Sequence, residues 1–260
     1  MFVGTCSDAG KSIINTAFCR ILKQDGYLPA PFKAQNMSLN SFATQNGEEI
    51  ARSIAVQAFA AKQEPSVHMN PILLKPKSEL KSQLIFHGKV VGDITAKEYC
   101  FSRGWYERKL HVIQQSLNKL NSSFDLIIAE GAGSCAEPNF RKNDLVNMGM
   151  AHLLDADVYL VADIDKGGAF ADILGTLQVL DLVSPEDKKR IKGIFINKFR
   201  GELDLLKPAL DFITRETNIP IAGVIPYVPD LYLEEEDQIK TYQCKNPEID
   251  IAVVYLPHIA

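Results

Sequence analysis

A glycine-containing segment near the amino terminus limits the folds open to this chain more than any other stretch. It reads Gly4-Thr5-Cys6-Ser7-Asp8-Ala9-Gly10-Lys11-Ser12. An apolar run at residues 2–3 precedes it, and a segment of helical spacing, Lys11–Gln24, begins at its end. A loop between a strand and a helix points backbone N–H groups at a bound anion, and the helix N-terminus adds a favourable partial charge. The segment therefore predicts an α/β fold with a phosphate site after the first strand.

The residue types of this segment fit the phosphates of a nucleotide. Gly10 lets the backbone approach a phosphate, Lys11 can reach the β- and γ-phosphates, and the Ser12 hydroxyl can ligate Mg²⁺. Five residues separate Gly4 from Gly10 where the common pattern has four, so this is a variant loop. The alternative is a helix start in which a loop side chain only caps the helix and Lys11 is solvated. The residues predicted to bind nucleotide are Gly4, Thr5, Ser7, Asp8, Ala9, Gly10, Lys11, Ser12 and Asn197.

Two later apolar runs also end in polar side chains. Glu130 follows the run at residues 124–129, and Asn197 follows the run at residues 193–196. Open α/β sheets bind ligands at the carboxyl ends of their strands, so both side chains are expected at the phosphate site. A carboxylate there can hold Mg²⁺ directly or through water, and an amide can both donate to and accept from an adenine edge. Each signal is weak alone, because charged residues and Asn commonly end strands.

The apolar runs alternate with segments of helical spacing along the chain. The runs lie at residues 2–3, 27–32, 124–129, 158–162, 193–196, 219–225 and 249–256, and the helical segments at residues 11–24, 48–62, 106–120, 144–154, 170–182 and 203–217. This alternation predicts an α/β fold whose mostly parallel sheet carries helices on both faces. Two short runs at residues 84–86 and 90–91, joined across Gly88, predict a small hairpin.

Composition excludes several classes of protein. The 260 residues are 46% apolar and 23% charged, values of a folded globular protein rather than a disordered chain. A net charge of −4 argues against nucleic acid as the main partner. Apolar runs fall short of the ~20 residues of a membrane helix, which argues against a membrane partner. The five cysteines are widely spaced without a paired motif, which indicates a reducing compartment and hence the cytoplasm.

Together, the segments at 4–12 and 130–133 and residue Asn197 resemble the P-loop enzymes of the dethiobiotin synthetase-like branch. Four further stretches narrow the resemblance, at residues 31–40, 68–76, 161–168 and 196–201. All four are similar to the cobyric acid synthase family, the glutamine-dependent amidases of cobalamin biosynthesis. The resemblance extends over essentially the whole chain. It implies a P-loop fold, with ATP and Mg²⁺ as cofactors.

The resemblance also implies a reaction and a set of site residues. Family members amidate the b, d, e and g carboxylates of adenosylcobyrinic acid a,c-diamide to adenosylcobyric acid, by way of an acyl phosphate and with ammonia from glutamine. The corrinoid is therefore the expected substrate. The residues matched to catalysis are Lys11 and Lys33, and those matched to Mg²⁺ are Ser12, Glu49 and Glu130. The residues matched to substrate are Gln35, Asn36, Asn40, Asn70, Lys75, Asp163 and Lys166.

The end of the chain is expected to belong to a second domain. An acidic stretch at residues 234–237 precedes a fresh apolar run that the sequence stops soon after. We assign residues 1–232 to an ATP-dependent synthetase domain, 233–248 to a linker and 249–260 to the first strand of a truncated glutamine amidotransferase domain. On this interpretation, ammonia is supplied by a carboxy-terminal glutaminase whose Cys nucleophile lies beyond these residues. Association into a homodimer is left open by the sequence.

Three related functions remain as alternatives. Partition-type switch ATPases carry an additional Lys at the loop position of Cys6, and its absence here argues against them. Dethiobiotin synthetase lacks the stretches matched at residues 35–40 and 163–168. Cobyrinic acid a,c-diamide synthase differs in the loops after the second strand, and the carboxylates that react distinguish it.

Overall fold

The computed structural model describes residues 1–78, 80–229 and 231. The linker predicted at 233–248 and the strand predicted at 249–260 lie outside the described residues, as does residue 232. In chain order the strands are β1 Phe2–Gly4, β2 Pro29–Phe32, β3 Gln35–Met37, β4 Ser41–Ala43, β5 Glu49–Ala51, β6 Ile72–Ser78, β7 Lys81–Phe86, β8 Lys89–Thr95, β9 Leu126–Ser134, β10 Val158–Asp163, β11 Ile191–Phe199 and β12 Ile221–Pro226.

The helices account for most of the remaining described residues. They are α1 Lys11–Gln24, α2 Arg52–Ala60, α3 Ala96–Phe101, α4 Arg103–Asn121, α5 Met148–Leu153, α6 Ala169–Val183, α7 Pro185–Lys189 and α8 Leu203–Thr217. Among the described residues, none of these helices combines the length and the apolar character that crossing a membrane requires.

The main sheet has six parallel strands in the order β12-β11-β10-β1-β9-β2. Its side chains alternate between two packed faces, as a sheet buried on both sides requires. Phe2 belongs to an apolar cluster that includes Ile14 of α1. The next residue, Val3, belongs to a different cluster that includes Ile173 and Leu177 of α6. The predicted fold class is therefore confirmed.

A second sheet of four strands, ordered β3-β6-β7-β8, stands beside the first. Strands β6, β7 and β8 form an antiparallel meander, and β3 joins it in parallel with β6. The hairpin predicted across Gly88 is present and longer than its apolar core, with a turn in which His87 and Gly88 both have positive φ. The sequence pattern missed β3 and β6, because neither alternates cleanly between polar and apolar residues.

Two predicted helices begin later than the pattern indicates. The segment expected at 48–62 becomes helical at Arg52, because Glu49–Ala51 pairs with Ser41–Ala43 as an antiparallel two-stranded sheet. The segment expected at 144–154 becomes helical at Met148. There the Asp144 carboxylate accepts hydrogen bonds from three following backbone N–H groups, which holds the chain in a turn first.

A pair of histidines joins the meander to α4. His87 Nε2 lies 2.8 Å from Ser116 Oγ, and His68 Nδ1 lies 3.2 Å from the same oxygen. Burial lowers the pKa of His68, and neighbouring Lys119 adds to the effect while Glu48 opposes it. Burial also lowers the pKa of His87, with a further contribution from His68. Both rings therefore favour the neutral form more strongly than a free histidine does.

We expect this pair to make the fold sensitive to mild acid. The unfolded chain takes up protons near a pKa of about 6.5, before the folded chain does, so stability declines as pH falls through that value. His87→Gln should flatten the dependence of the urea midpoint on pH between 7.5 and 5.5. His111→Gln is the control, since His111 makes the smallest contribution to the lowered pKa of His87. Equal slopes in wild type and His87→Gln would contradict the prediction.

Candidate functional site

A cavity of about 1460 Å³ opens where the main sheet meets the second sheet. The phosphate-loop residues that line it are Ser7, Asp8, Gly10, Lys11 and Ser12. The opposite wall comes from the second sheet and α3, and includes Leu74, Ile94 and Tyr99. A cleft that joins a phosphate loop to a second layer can hold two ligands side by side, which a two-substrate transfer needs.

The phosphate loop is shaped by one close contact. Gly10 has φ 94° at the start of α1, a left-handed conformation that favours glycine. Asn197 Nδ2 donates to Ala9 O at 2.9 Å, and a Cβ on Gly10 would come within 2.0 Å of that nitrogen. Thr5 N donates to Val161 O, which fixes the other end of the loop to β10. The loop between β1 and α1 is thus held at one end by β10 and at the other by Asn197.

Lys11 is folded back into this loop. Its Nζ donates to Cys6 O at 3.0 Å and to Gly133 O at 2.9 Å, and the residue is 6% exposed. Gly4 leaves room for it, since a Cβ there would lie 2.7 Å from Lys11 Nζ. Burial lowers the pKa of Lys11, and the Glu130 carboxylate partly offsets that effect. A phosphate oxygen would be a stronger partner for this ammonium than two neutral carbonyls.

The Glu130 carboxylate is the centre of the site, 2% exposed on β9. Its Oε1 accepts from Ser12 Oγ at 2.7 Å and from Lys33 Nζ at 3.0 Å. Its Oε2 accepts from Gln57 Nε2 at 2.6 Å. The sheet order explains the convergence, because β9 lies between β1, which leads to Ser12, and β2, which leads to Lys33.

The three predicted metal ligands do not all come together. Ser12 and Glu130 are hydrogen-bonded at the start of α1, whereas Glu49 forms an ion pair with Lys75 and is absent from the cavity lining. Within the described residues there is no group of three or more His, Cys, Asp or Glu side chains that could hold a metal ion. A hydroxyl and one carboxylate nevertheless fit Mg²⁺, which commonly takes few protein ligands and completes its shell with phosphates and water.

The residues predicted to contact substrate fall into two groups. Gln35, Asn36 and Lys166 line the cavity. Tyr99 donates a hydrogen bond to the side chain of Gln35, and Asn36 contacts Ser53. Asn40, Asn70, Lys75 and Asp163 are not among the lining residues.

Asn70 and Asp163 have internal partners instead. Asn70 is 1% exposed, donates to Lys33 O and Ile72 O, and accepts from Ala51 N. It therefore fixes the backbone that carries Lys33. Asp163 accepts from Asp165 N and pairs with Lys198. Asn40 contributes backbone contacts, accepting from Arg52 N through its carbonyl oxygen.

The side chain of Asn197 also makes an internal hydrogen bond. It is 3% exposed, and its side-chain nitrogen holds the phosphate loop through Ala9 O. The sequence predicted that this amide reads an adenine edge, and the structure gives its nitrogen a positioning role in the nucleotide site. An isolated Asn after a strand cannot reveal which partner its amide will choose.

Several residues of the site were not predicted from the sequence. Lys198 Nζ donates to Asp8 O and to Asp163 Oδ2, both at 2.7 Å, so it joins the phosphate loop to the end of β10. The sequence feature that could have indicated Lys198 is its position as a cation directly after Asn197. Gln57 gave no signal, because a glutamine in a helical pattern usually faces solvent.

Arg141, in the segment that follows the Glu130 strand, also lines the cavity. Its guanidinium makes a bidentate pair with Asp187, whose side chain is fully buried. Burial acts to raise the pKa of Asp187, and hydrogen bonds from Arg141 and His152 outweigh it and lower that pKa. Arg190 Nε donates to His152 Nδ1, so the His152 proton lies on Nε2 and points to Asp187. The network fixes a cation on the cavity wall.

Comparison with known proteins gives the family. The family model described as "CobQ/CobB/MinD/ParA nucleotide binding domain" matches residues 1–240. The chain belongs to this family. Its nucleotide-binding character agrees with the phosphate loop, whose backbone and Lys11 are arranged for phosphate.

Individual relatives confirm the resemblance to the cobyric acid synthase family. A cobyric acid synthase of Clostridium botulinum (strain Loch Maree / Type A3) is 50% identical over 261 residues. Those of Geobacillus sp. (strain WCH70) and Clostridium acetobutylicum are 49% and 48% identical. Each match covers 100% of this chain and 52% of the relative, so the chain spans about half the length of these proteins.

We expect Gly10→Ala to weaken ATP binding by at least about 10-fold (~1.4 kcal/mol), because the left-handed strain and the clash with Asn197 would displace the loop N–H groups from the phosphates. Isothermal titration with ATP and Mg²⁺ measures the loss. Gly175→Ala is the matched control, because that glycine lies within α6 and a Cβ there meets nothing within 4 Å. Unchanged affinity in Gly10→Ala would remove the loop from the nucleotide site.

Proposed function

We propose that this chain is the ATP-dependent synthetase part of a cobyric acid synthase. On this proposal it activates the b, d, e and g carboxylates of adenosylcobyrinic acid a,c-diamide for amidation to adenosylcobyric acid, in cobalamin biosynthesis. One observation carries the proposal: Ser12 and Lys33 meet on the buried Glu130 beside a phosphate loop, at the mouth of a cavity large enough for a second, bulky substrate. Similarity to cobyric acid synthases along the whole chain supports it.

The chemistry requires activation of a carboxylate. An oxygen of the substrate carboxylate attacks the γ-phosphorus of ATP, the bond to the β-phosphate oxygen breaks, and ADP leaves. The resulting acyl phosphate is attacked at its carbonyl carbon by ammonia, which loses a proton to solvent as inorganic phosphate departs. Neither step needs a protein nucleophile, so positioning and charge neutralisation are the main demands on the protein.

The cations of the site match these demands. Lys11 holds the transferred phosphoryl group once its two carbonyl partners are replaced by phosphate oxygens. Lys33 neutralises the incoming carboxylate, because it lines the cavity next to Glu130, which holds its ammonium by a charge-assisted bond. Ser12 and Glu130 would hold Mg²⁺, which when bound would neutralise charge on the phosphates.

The cavity wall fits a substrate that is both apolar and anionic. Met37, Ile94 and Phe140 offer apolar surface, which suits the hydrocarbon edge of a large ring. Arg141 and Lys166 line the same cavity and supply positive charge for peripheral carboxylates. Arg141 is the better anchor, since Asp187 fixes its orientation.

Ammonia is expected from a glutaminase domain outside the described residues. The relatives are about twice as long as this chain, which leaves room for such a domain in the whole protein. Ammonium chloride should replace it in a test of the synthetase part alone, because the second step uses only free ammonia.

The test is release of ADP with ATP, Mg²⁺ and ammonium chloride, with and without adenosylcobyrinic acid a,c-diamide. We expect corrinoid-dependent release and mass changes that match amide formation at the b, d, e and g positions. Amidation at the a and c positions of cobyrinic acid instead would favour cobyrinic acid a,c-diamide synthase. ADP release at the same rate with and without either corrinoid would contradict the proposal.

Lys11→Ala should lower corrinoid-dependent ADP release by at least about 100-fold, because the transferred phosphoryl group loses its cation. The thermal midpoint should stay near that of wild type, since the Lys11 ammonium donates only to two neutral backbone carbonyls, of Cys6 and Gly133. Lys192→Ala is the control, because that exposed lysine lies near the amino end of β11, whereas the site lies at the carboxyl ends of the strands. Full activity in Lys11→Ala would show that the site is wrongly assigned.

A further inference from the structure

Behind the Glu130 carboxylate lies a buried pair of amides. Gln57 of α2 and Asn15 of α1 are both 0% exposed. Gln57 Nε2 donates to Glu130 Oε2 at 2.6 Å, and Gln57 Oε1 accepts from Asn15 Nδ2 at 2.7 Å. Asn15 Nδ2 also lies 3.3 Å from Ile128 O on the strand that carries Glu130. The pair therefore connects two helices and β9 to a single carboxylate oxygen.

This arrangement divides the two oxygens of Glu130 between two tasks. Oε2 faces the interior and is occupied by Gln57, whereas Oε1 faces Ser12 and Lys33. The carboxylate of a glutamate can rotate about its terminal bond unless its oxygens are held, and rotation would change which oxygen meets a cation. The Gln57 bond removes that freedom, because donation from a buried amide to a charged oxygen is strong.

The packing of Asn15 shows that its orientation is imposed. Its Oδ1 is buried and has no hydrogen-bond partner within the described part of the chain. An unsatisfied buried oxygen lowers stability, and an apolar side chain of similar size would avoid it. The side-chain nitrogen is the part that is used, and it aligns the Gln57 amide so that its N–H points at Glu130.

We propose that Gln57, aligned by Asn15, is a positioning residue that presents one oxygen of Glu130 to the Mg²⁺ of the nucleotide. The inference rests on the proposed function, because it assumes that Glu130 and Ser12 take Mg²⁺. Gln57 itself does not line the cavity, so it acts through Glu130 and not on the substrate. Partners of this kind typically change metal affinity by about 10- to 100-fold.

The experiment measures ADP affinity by calorimetry, in excess MgCl₂ and in EDTA. Wild type should bind more tightly with Mg²⁺. Gln57→Met keeps the size of the side chain but removes the donor, and Gln57→Glu replaces the donor with an acceptor. Both variants should lose about 10-fold or more of the Mg²⁺-dependent gain, with affinity in EDTA unchanged. A purely structural role would weaken binding in both conditions equally.

Matched controls separate the possible results. Gln63→Met makes the same change in a side chain that bonds only to Ala61 O, and it should retain the full Mg²⁺ effect. Asn15→Leu removes the aligning donor and should reduce the effect less than Gln57→Met does. It also replaces Gln57→Met as the test if that variant does not fold, as judged by circular dichroism.

The outcomes distinguish this inference from the proposed function. If wild type binds ADP equally well with Mg²⁺ and with EDTA, the metal site of the proposed function fails. If wild type responds to Mg²⁺ and the folded Gln57 and Asn15 variants respond equally, only the positioning role fails. Equal losses with Mg²⁺ and with EDTA also overturn that role.

Discussion

The burial of one carboxylate, that of Glu130, governs the arrangement around it. A charge removed from water must be paired, and breaking a buried pair costs about 3–5 kcal/mol. Its partners come from three elements: Ser12 opens α1, Lys33 follows β2, and Gln57 lies on α2. They can meet only because β9 lies between β1 and β2. The need to pair the Glu130 carboxylate therefore constrains the strand order and the placement of the helices together.

Much of this core could be predicted from the sequence, because its signals are local. Helices Lys11–Gln24 and Leu203–Thr217 have the bounds that their periodicity indicates. The convergence of Ser12, Lys33 and Glu130 follows from a general property of parallel sheets, whose carboxyl ends share one edge. Residue type and chain position were sufficient for Ser12 and Glu130, whereas the expectation for Lys33 came from the family resemblance.

The sequence could not indicate which partner a side chain would take where several are available. The amide of Asn70 bonds to backbone, and the carboxylate of Glu49 pairs with Lys75, although both residue types suit ligands. Gln57 is the opposite case, an amide whose helical pattern gives no sign of a buried partner. These outcomes depend on contacts between distant segments. Strand β5, Glu49–Ala51, also depends on a contact with another segment, because its pairing with β4 overrides the helical spacing of the sequence there.

The hydrogen bond from Asn197 to the phosphate loop also limits when that loop can take its final shape during synthesis of the chain. The meander of the second sheet pairs neighbouring segments, so it can form while the chain is still growing. The main sheet instead pairs Phe2 with Tyr159, and the loop waits for Asn197 to hold Ala9. A nascent chain therefore presents its glycine loop long before that loop is shaped. The loop can therefore take its final shape only after residue 197 has been synthesised, although the residues of the loop are among the first to be made.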